Sequence, residues 1–417
     1  MSRYLRLVGI LLLFPVLTSQ AEDRSLMDGP ALVRRVLTVL DARIALMPDV
    51  AAAKWIAHQP VGDPAREVAV VQSATEQAVA LGLSREPVER LLSAQIARAR
   101  LVQTAAMDRW QRTDAGPTAA PSLRDELRPR IDQLTHDLLT ALYLAAPFLS
   151  EVDVDALADG LPDARWSPTD RHELAAALRA VRFDGPRTPE RMRRAGILRI
   201  GLPADYAPFA STHDGRLIGA DVELTTQLAH AMGLTPVYER SSWASLMTDL
   251  AADHFDIAGG GISVTEARRA HALFSPPLVN GGKTAIGRCT DRHRFQTLSA
   301  LDTSDVRVIE NPGGTNEQFA RRHLPHARLT VHTDNLTVFQ EIVACRADVM
   351  ITDDIEIARV TRHETRLCRL LKDVYEPVDK ALLLPPEAAW LDAIEPALRP
   401  LLANEAYGTL LDAAAAE

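Results

Sequence analysis

Cysteine is scarce in this chain, basic charge is not in excess, and long apolar runs stop early. Three cysteines, Cys289, Cys345 and Cys368, stand among 417 residues. They show no CxxC spacing, and Cys289 with His293 is one weak pair, so no metal site is expected. In an oxidising compartment, three thiols read as one bridge plus one free thiol, with three pairings open. The net charge of −9 argues against nucleic acid as a partner. Past residue 21 no segment is apolar enough to span a membrane. EVDVDALAD (151–159) alternates acids but lacks a calcium-loop pattern.

What is present begins with MSRYLRLVGILLLFPVLTSQA. Arg3 and Arg6 precede a short apolar run that ends in small residues, the pattern of a secretory signal peptide over 1–21. The expected location is periplasmic. The length calls for two or three domains. From 22 to 182 the chain is rich in Ala, Leu and Arg. Val33, Val36, Leu37, Leu40, Ile44 and Met47 form a helical stripe, so this part reads as an all-α bundle. Residues 183–196, with FDGPRTPERMRRAG, read as a linker. From 197 to 417 short β-type runs such as ILRIGLP, VRVIE and ADVMITD alternate with helical segments. That alternation implies βαβ units and an α/β region of two lobes around a cleft, with lobe 1 at 197–285 and 380–417 and lobe 2 at 286–379.

NPGGTNEQFARRH (311–323) follows the strand-like VRVIE and opens a helix, an arrangement suited to holding an anion. Glu317 is out of place there unless it carries a proton. ADYAPFAS and DGRLIGADVELTTQLAHAMG resemble the opening of a periplasmic solute-binding protein for amino acids. GISVTEARRAHALFS (261–275) is similar to that family's loop for the ligand carboxylate and puts Arg268 at the gripping position. Asp353 then stands where such proteins accept the ligand amino group. SSWASLMTDL, NGGKTAI, NPGGTNEQFA, ADVMITDDIE and KALLLP together resemble cyclohexadienyl dehydratase, an enzyme built on the same fold. The resemblance implies Glu317 as general acid for a departing ring hydroxyl, with a raised pKa. It places Thr315, Asn316, Lys283, Trp243, Ser242 and Tyr206 around the substrate. It also implies a Cys289–Cys368 disulfide, with Cys345 buried in a helix.

DARIALMPDVAAAKW (41–55) spaces Arg43 and Lys54 about three turns apart on one helical face. Asp63 reads as the N-cap of the next helix, which carries Arg66 and Glu67, and Gln103 follows in SAQIARARLVQ. Order and spacing resemble the secreted all-helical chorismate mutases. The resemblance implies that Arg43 and Arg66 hold the two carboxylates of chorismate. Lys54 and Gln103 would donate to the ether oxygen, and Glu67 or Asp63 would meet the ring hydroxyl. No cofactor is implied for a pericyclic rearrangement. Two positions depart from the family. Ala99 stands where Ser or Thr is frequent, and Asp137 where a later Arg is supplied, so Arg128, Arg130 or a first-helix Arg has to substitute.

Together these readings describe a periplasmic bifunctional enzyme of phenylalanine synthesis, with chorismate and prephenate as its small-molecule partners and a homo-oligomer left open. The rival is an amino-acid receptor with a helical partner domain.

Overall fold

The structure, a computed structural model, describes residues 24–162 and 165–416, so the expected leader peptide lies outside the described residues. The helical half is built from amphipathic segments with distinct starts. In α1 (Gly29–Ala45) the Asp28 side chain accepts from the Ala31 N–H at 2.8 Å, and the predicted stripe from Val33 to Ile44 is buried. The stripe does not run on as one helix. The chain breaks at Leu46 and restarts as α2 (Met47–Ile56), because Pro48 lacks an N–H and its ring crowds the carbonyl four residues back. Arg43 and Lys54 therefore lie on two helices rather than one face of a single helix. Asp63 caps α3 (Pro64–Ala80) through the Arg66 N–H at 3.2 Å. The long α4 (Arg85–Thr113) and α5 (Arg128–Leu149) complete the layer around a core that includes Leu40, Leu91 and Leu142.

The remainder is α/β. One six-stranded sheet runs Leu26–Met27, Thr235–Arg240, Ile197–Leu202, Ile257–Ala258, Leu383–Leu384 and Leu273–Phe274; the first four strands are parallel and the last two are antiparallel to their neighbours. The chain thus contributes an edge strand to this lobe before entering the bundle, ahead of the expected boundary. The second sheet orders Arg328–Val331, Arg307–Glu310, Val349–Asp353, Val279–Arg288 and Leu367–Arg369, with Tyr375–Lys380 paired alongside Val279–Arg288. Since Val279–Arg288 lies wholly in the second sheet, the crossover between lobes falls before residue 279, not at 285. Cys289 and Cys368 are disulfide-bonded at its end. Cys345 is exposed, in a left-handed turn after a short helix, and not buried as expected.

The expected linker is not a solvated tether. Pro189–Ala195 is a helix, Met192 is buried, and Arg191 pairs with Asp253. The bundle is seated on the first sheet. Ile197 and Val237 join the bundle core, and the Phe148 ring packs tilted against His254 with centroids 4.4 Å apart. Arg199, buried in the same junction, pairs with Asp253 and Asp256 below the Tyr143 ring. A buried guanidinium is tolerated only with such partners.

The two lobes meet closely at Gly313, whose φ of +78° suits glycine; a Cβ there would lie 2.7 Å from the Ala244 Cα of the facing lobe. Gly313→Ala should hold the cleft ajar. The backbone strain is about 1–3 kcal/mol, so we expect kcat/KM in the cleft to fall roughly 5- to 150-fold. An unchanged kcat/KM, with small-angle scattering showing normal closure, would remove this contact from the closing mechanism.

Candidate active sites in the bundle and the interlobe cleft

In the bundle, the side chains singled out from sequence converge. Arg43, Lys54, Asp63, Arg66, Glu67 and Gln103 line one cavity of about 170 Å³ between α1, α2, α3 and α4. Arg43 is 7% exposed, and burial pushes its guanidinium down to about 10, still charged at neutral pH. Its Nε donates to Gln95 Oε1 at 2.6 Å, and Nη1 donates to Thr135 Oγ1. Gln95 in turn donates to the Leu40 carbonyl at 3.0 Å, which fixes its amide and so the direction of Arg43. Lys54 donates to the Val61 carbonyl at 2.6 Å and to Gln103 Oε1 at 3.0 Å. Burial lowers its pKa, with Glu67 and Asp63 acting the other way. Gln103 thus turns its oxygen to Lys54, while its Nε2 donates to the Ala99 carbonyl at 3.2 Å and to Met47 Sδ at 3.4 Å. An adjoining cavity of about 610 Å³ is lined by Lys54, Arg66, Thr135 and Arg128. Arg128 is the one of the expected substitutes on that wall; Arg130 is not.

Gln95 and Thr135 were not singled out in the sequence. Gln95 precedes Gln103 by eight residues, a little over two turns along α4, so the helical period was a usable signal.

The cleft of the α/β half is closed around a cavity of only about 20 Å³, roughly one water in size. Tyr206, Trp243, Arg268, Thr315, Asn316 and Asp353 line it, together with Ser263 and Lys380. Arg268 donates to the Ser263 carbonyl at 2.8 Å. Burial pushes it down to about 10, and among the described residues no carboxylate lies within ion-pair distance of it. Such a cation awaits an anion. Asp353 is in the opposite condition. Lys283 donates to its Oδ1 at 3.0 Å, Lys380 to its Oδ2 at 2.5 Å, and the Tyr206 hydroxyl also to Oδ2. Burial would raise its pKa, but the two ammonium groups outweigh that and hold it well below the usual carboxylate range. Lys283 also donates to Asn316 Oδ1 at 2.5 Å. Trp243 donates to Asp205 Oδ1 at 2.9 Å and so stands as a wall.

Three expected residues do not line this cavity; Lys283 is buried behind it, bonded to Asp353 and Asn316. Ser242 is exposed and caps the backbone N–H of Ser245. Glu317 turns back along its helix, accepting from the Gly313 N–H at 2.7 Å and pairing with Arg321. These contacts lower its pKa, the Gly313 hydrogen bond most, so it is a carboxylate rather than the neutral acid expected. Two other carboxyls near the cleft, Glu310 and Glu356, have raised pKa values, with burial the main cause in each. Glu356 is 5% exposed and bonded to the Thr352 hydroxyl, to which Asn316 Nδ2 also donates at 3.2 Å. Burial pushes its pKa up to about 8, with ionised Asp353 adding to the rise against the Thr352 hydrogen bond. Asp205 rises, by burial, only to about 6. At neutral pH, then, the raised pKa of Glu356 favours its protonated form, two hydrogen bonds behind the cavity wall through Thr352 to Asn316. Both glutamates occupy the third position of a helix that follows a strand. What separates them is Arg321, four residues after Glu317, a stabilising partner for a carboxylate that was legible in the sequence.

Comparison with known proteins agrees with this division. Residues 198–413 match the bacterial extracellular solute-binding proteins, family 3, and residues 32–104 match chorismate mutase type II. A cyclohexadienyl dehydratase of Pseudomonas aeruginosa is 43% identical over 203 residues, 48% of this chain and 76% of that protein. An L-cystine-binding protein of Escherichia coli is 23% identical over 181 residues, 43% of this chain and 67% of that protein. Among solved structures, the ancestral amino acid-binding protein AncCDT-1, a precursor of cyclohexadienyl dehydratase, has a TM-score of 0.50 at 25% identity and covers 53% of this chain and 96% of its own. An L-arginine-bound substrate-binding protein of Streptococcus pneumoniae, with a TM-score of 0.51 at 20% identity over 54% of this chain and 98% of its own, shares the fold. The chain belongs to family 3 of the bacterial extracellular solute-binding proteins, on its cyclohexadienyl dehydratase branch, with a type II chorismate mutase domain ahead of it.

Proposed function

We propose that the chain is a bifunctional enzyme of phenylalanine synthesis. The bundle rearranges chorismate to prephenate, and the cleft converts prephenate to phenylpyruvate. The observation that supports the second step is Glu356, a carboxyl whose pKa burial raises to about 8 and which lies two hydrogen bonds, through Thr352 and Asn316, behind a cavity lined by Arg268 and Lys380. A plain receptor has no use for it. The expected leader and the periplasmic solute-binding relatives support export to the periplasm.

In the bundle no bond to the protein forms. Arg43 and Arg66, with Arg128 as the further cation, hold the dianion in a folded geometry. Lys54 and Gln103 then stabilise the negative charge that develops on the ether oxygen as its C–O bond breaks and the new C–C bond forms. In the cleft, Arg268 holds the side-chain carboxylate. The ring carboxylate must leave as CO₂, so it gains nothing from a tight ion pair that would be lost in the transition state. Its electron pair enters the ring as the para hydroxyl departs. Glu356 supplies the proton that makes the leaving group water, directly once the cleft has widened around the substrate or through the Thr352 hydroxyl. Thr315 and Asn316 orient the ring, with Lys283 fixing Asn316 from behind.

Purified protein given chorismate alone should yield phenylpyruvate. Glu356→Gln should lower dehydratase kcat by roughly 10²–10⁴ and let prephenate accumulate. Glu317→Gln should leave at least half of the rate; the reverse pattern would return the role to Glu317. The acid works protonated and its pKa is raised to about 8, so dehydratase activity should persist through neutrality and fall above that value. A fall near pH 4–5, where an ordinary glutamate titrates, would contradict burial as the source of the proton.

For the mutase, Arg43→Ala should abolish measurable conversion of chorismate. Arg128→Ala should raise KM about tenfold with a smaller change in kcat, as expected for loss of one carboxylate contact. Full mutase activity in Arg43→Ala would exclude this cavity as the site.

A further inference from the structure

The seam between the bundle and the first sheet holds a further cavity, of about 310 Å³. That is the lower end of the ~300–1,000 Å³ usual for small-molecule sites. Leu81 after α3 and His136, Thr140 and Tyr143 of α5 form its bundle side. Arg194, in the helix Pro189–Ala195, and Ile197 of the first sheet close it from the other side. The described wall carries two basic side chains and no acid. Elsewhere in the same segment Arg187 and Arg191 pair with Asp253, and Arg193 pairs with Glu190. Arg194 and His136 are both exposed, and among the described residues neither side chain makes a hydrogen bond or ion pair. Tyr143 is 0% exposed, and its hydroxyl has no partner among the described residues. A buried polar group left in that state calls for a cause. An arginine, an imidazole N–H and a phenol hydroxyl share one kind of partner, the acceptor-only oxygens of a carboxylate. Leu81 and Ile197 offer apolar surface beside them.

We propose that this seam is a binding site for a small carboxylate with an apolar body, separate from both catalytic cavities. The carboxylate meets Arg194 and His136, and the apolar body lies against Leu81 and Ile197. The site is inherited from neither family alone. His136, Thr140, Tyr143, Arg194 and Ile197 all fall between the two matched stretches, 32–104 and 198–413. It exists because the bundle is seated on the sheet, so a ligand in it touches both halves of the chain at once. Occupancy therefore ties the bundle to the first lobe.

Calorimetric titration of the full chain with hydrocinnamate, a phenyl ring on a short carboxylate, tests this. Both catalytic cavities also hold arginines, so the assignment comes from seam variants that alter neither of them. Thr140→Trp fills the seam cavity and should remove one binding event from the isotherm. Arg194→Ala should weaken that same event about two- to fivefold, the scale of an exposed ion pair. Arg194→Lys should recover part of the loss. Hydrocinnamyl alcohol, which keeps the ring and lacks the charge, should bind there about tenfold more weakly or less, as expected for loss of hydrogen bonds to a charged group. Arg194 is exposed and unpaired, so its variant decides the matter alone if Thr140→Trp does not fold. Isotherms of the wild type and Arg194→Ala that superimpose overturn the proposal, because hydrocinnamate then sits in the catalytic cavities or nowhere. Equal binding of the alcohol at the seam also overturns it. No reading here depends on turnover, so failure of the mutase or dehydratase assignment leaves the seam site standing, and loss of the seam site leaves those assignments standing.

Discussion

A carboxyl group buried beside an ionised aspartate cannot readily give up its proton to water. That constraint governs the cleft of this protein. Asp353 stays charged because two lysines and a tyrosine hydroxyl surround it. Glu356, three residues further along, has no such partners and is held neutral by burial and by Asp353 itself. One helix N-terminus therefore carries two carboxyl groups with separated protonation states, the condition under which one can orient charge and the other can donate a proton. A ligand-capture site needs the first group only. The role proposed for Glu356 adds the second.

The bundle solves a different problem with simpler means. Its reaction needs no proton and no nucleophile, only a fixed arrangement of donors in a poorly solvated space. Gln95 and Thr135 fix Arg43 from two helices, and Val61 and Gln103 fix Lys54. Prealigned cations cost little to reorganise when the substrate arrives. The bundle and the first lobe share a buried junction around Arg199, so the bundle is seated on one lobe of the cleft. The two cavities are separate, and the chain supplies consecutive reactions from distinct sites.

Much of this was legible in the sequence. Hydrophobic periodicity separated a helical half from an α/β half, and Arg43, Lys54, Arg66 and Gln103 do line one cavity. What escaped it is three-dimensional. Pro48 breaks the helix between Arg43 and Lys54, yet the fold reunites them across the break. Glu317 and Glu356 stand at equivalent places in two strand-to-helix turns, and no local pattern says which turn lies behind the cavity wall. The spacing of Arg321 from Glu317 lies in the sequence, though the reading above did not use it; the burial of Glu356 was not visible there. Likewise the segment 183–196 reads as polar, but its Arg187 and Arg191 pair with Asp253 of the first lobe and its Met192 joins the core of that lobe.

The protonation state of Glu356 is the quantity on which the account rests. Infrared difference spectra between the wild type and Glu356→Gln, recorded at neutral pH and again well above pH 8, measure it directly. The account predicts the carbonyl stretch of a protonated carboxyl at neutral pH that gives way to carboxylate bands at the alkaline end. Carboxylate bands already present at neutral pH would contradict it.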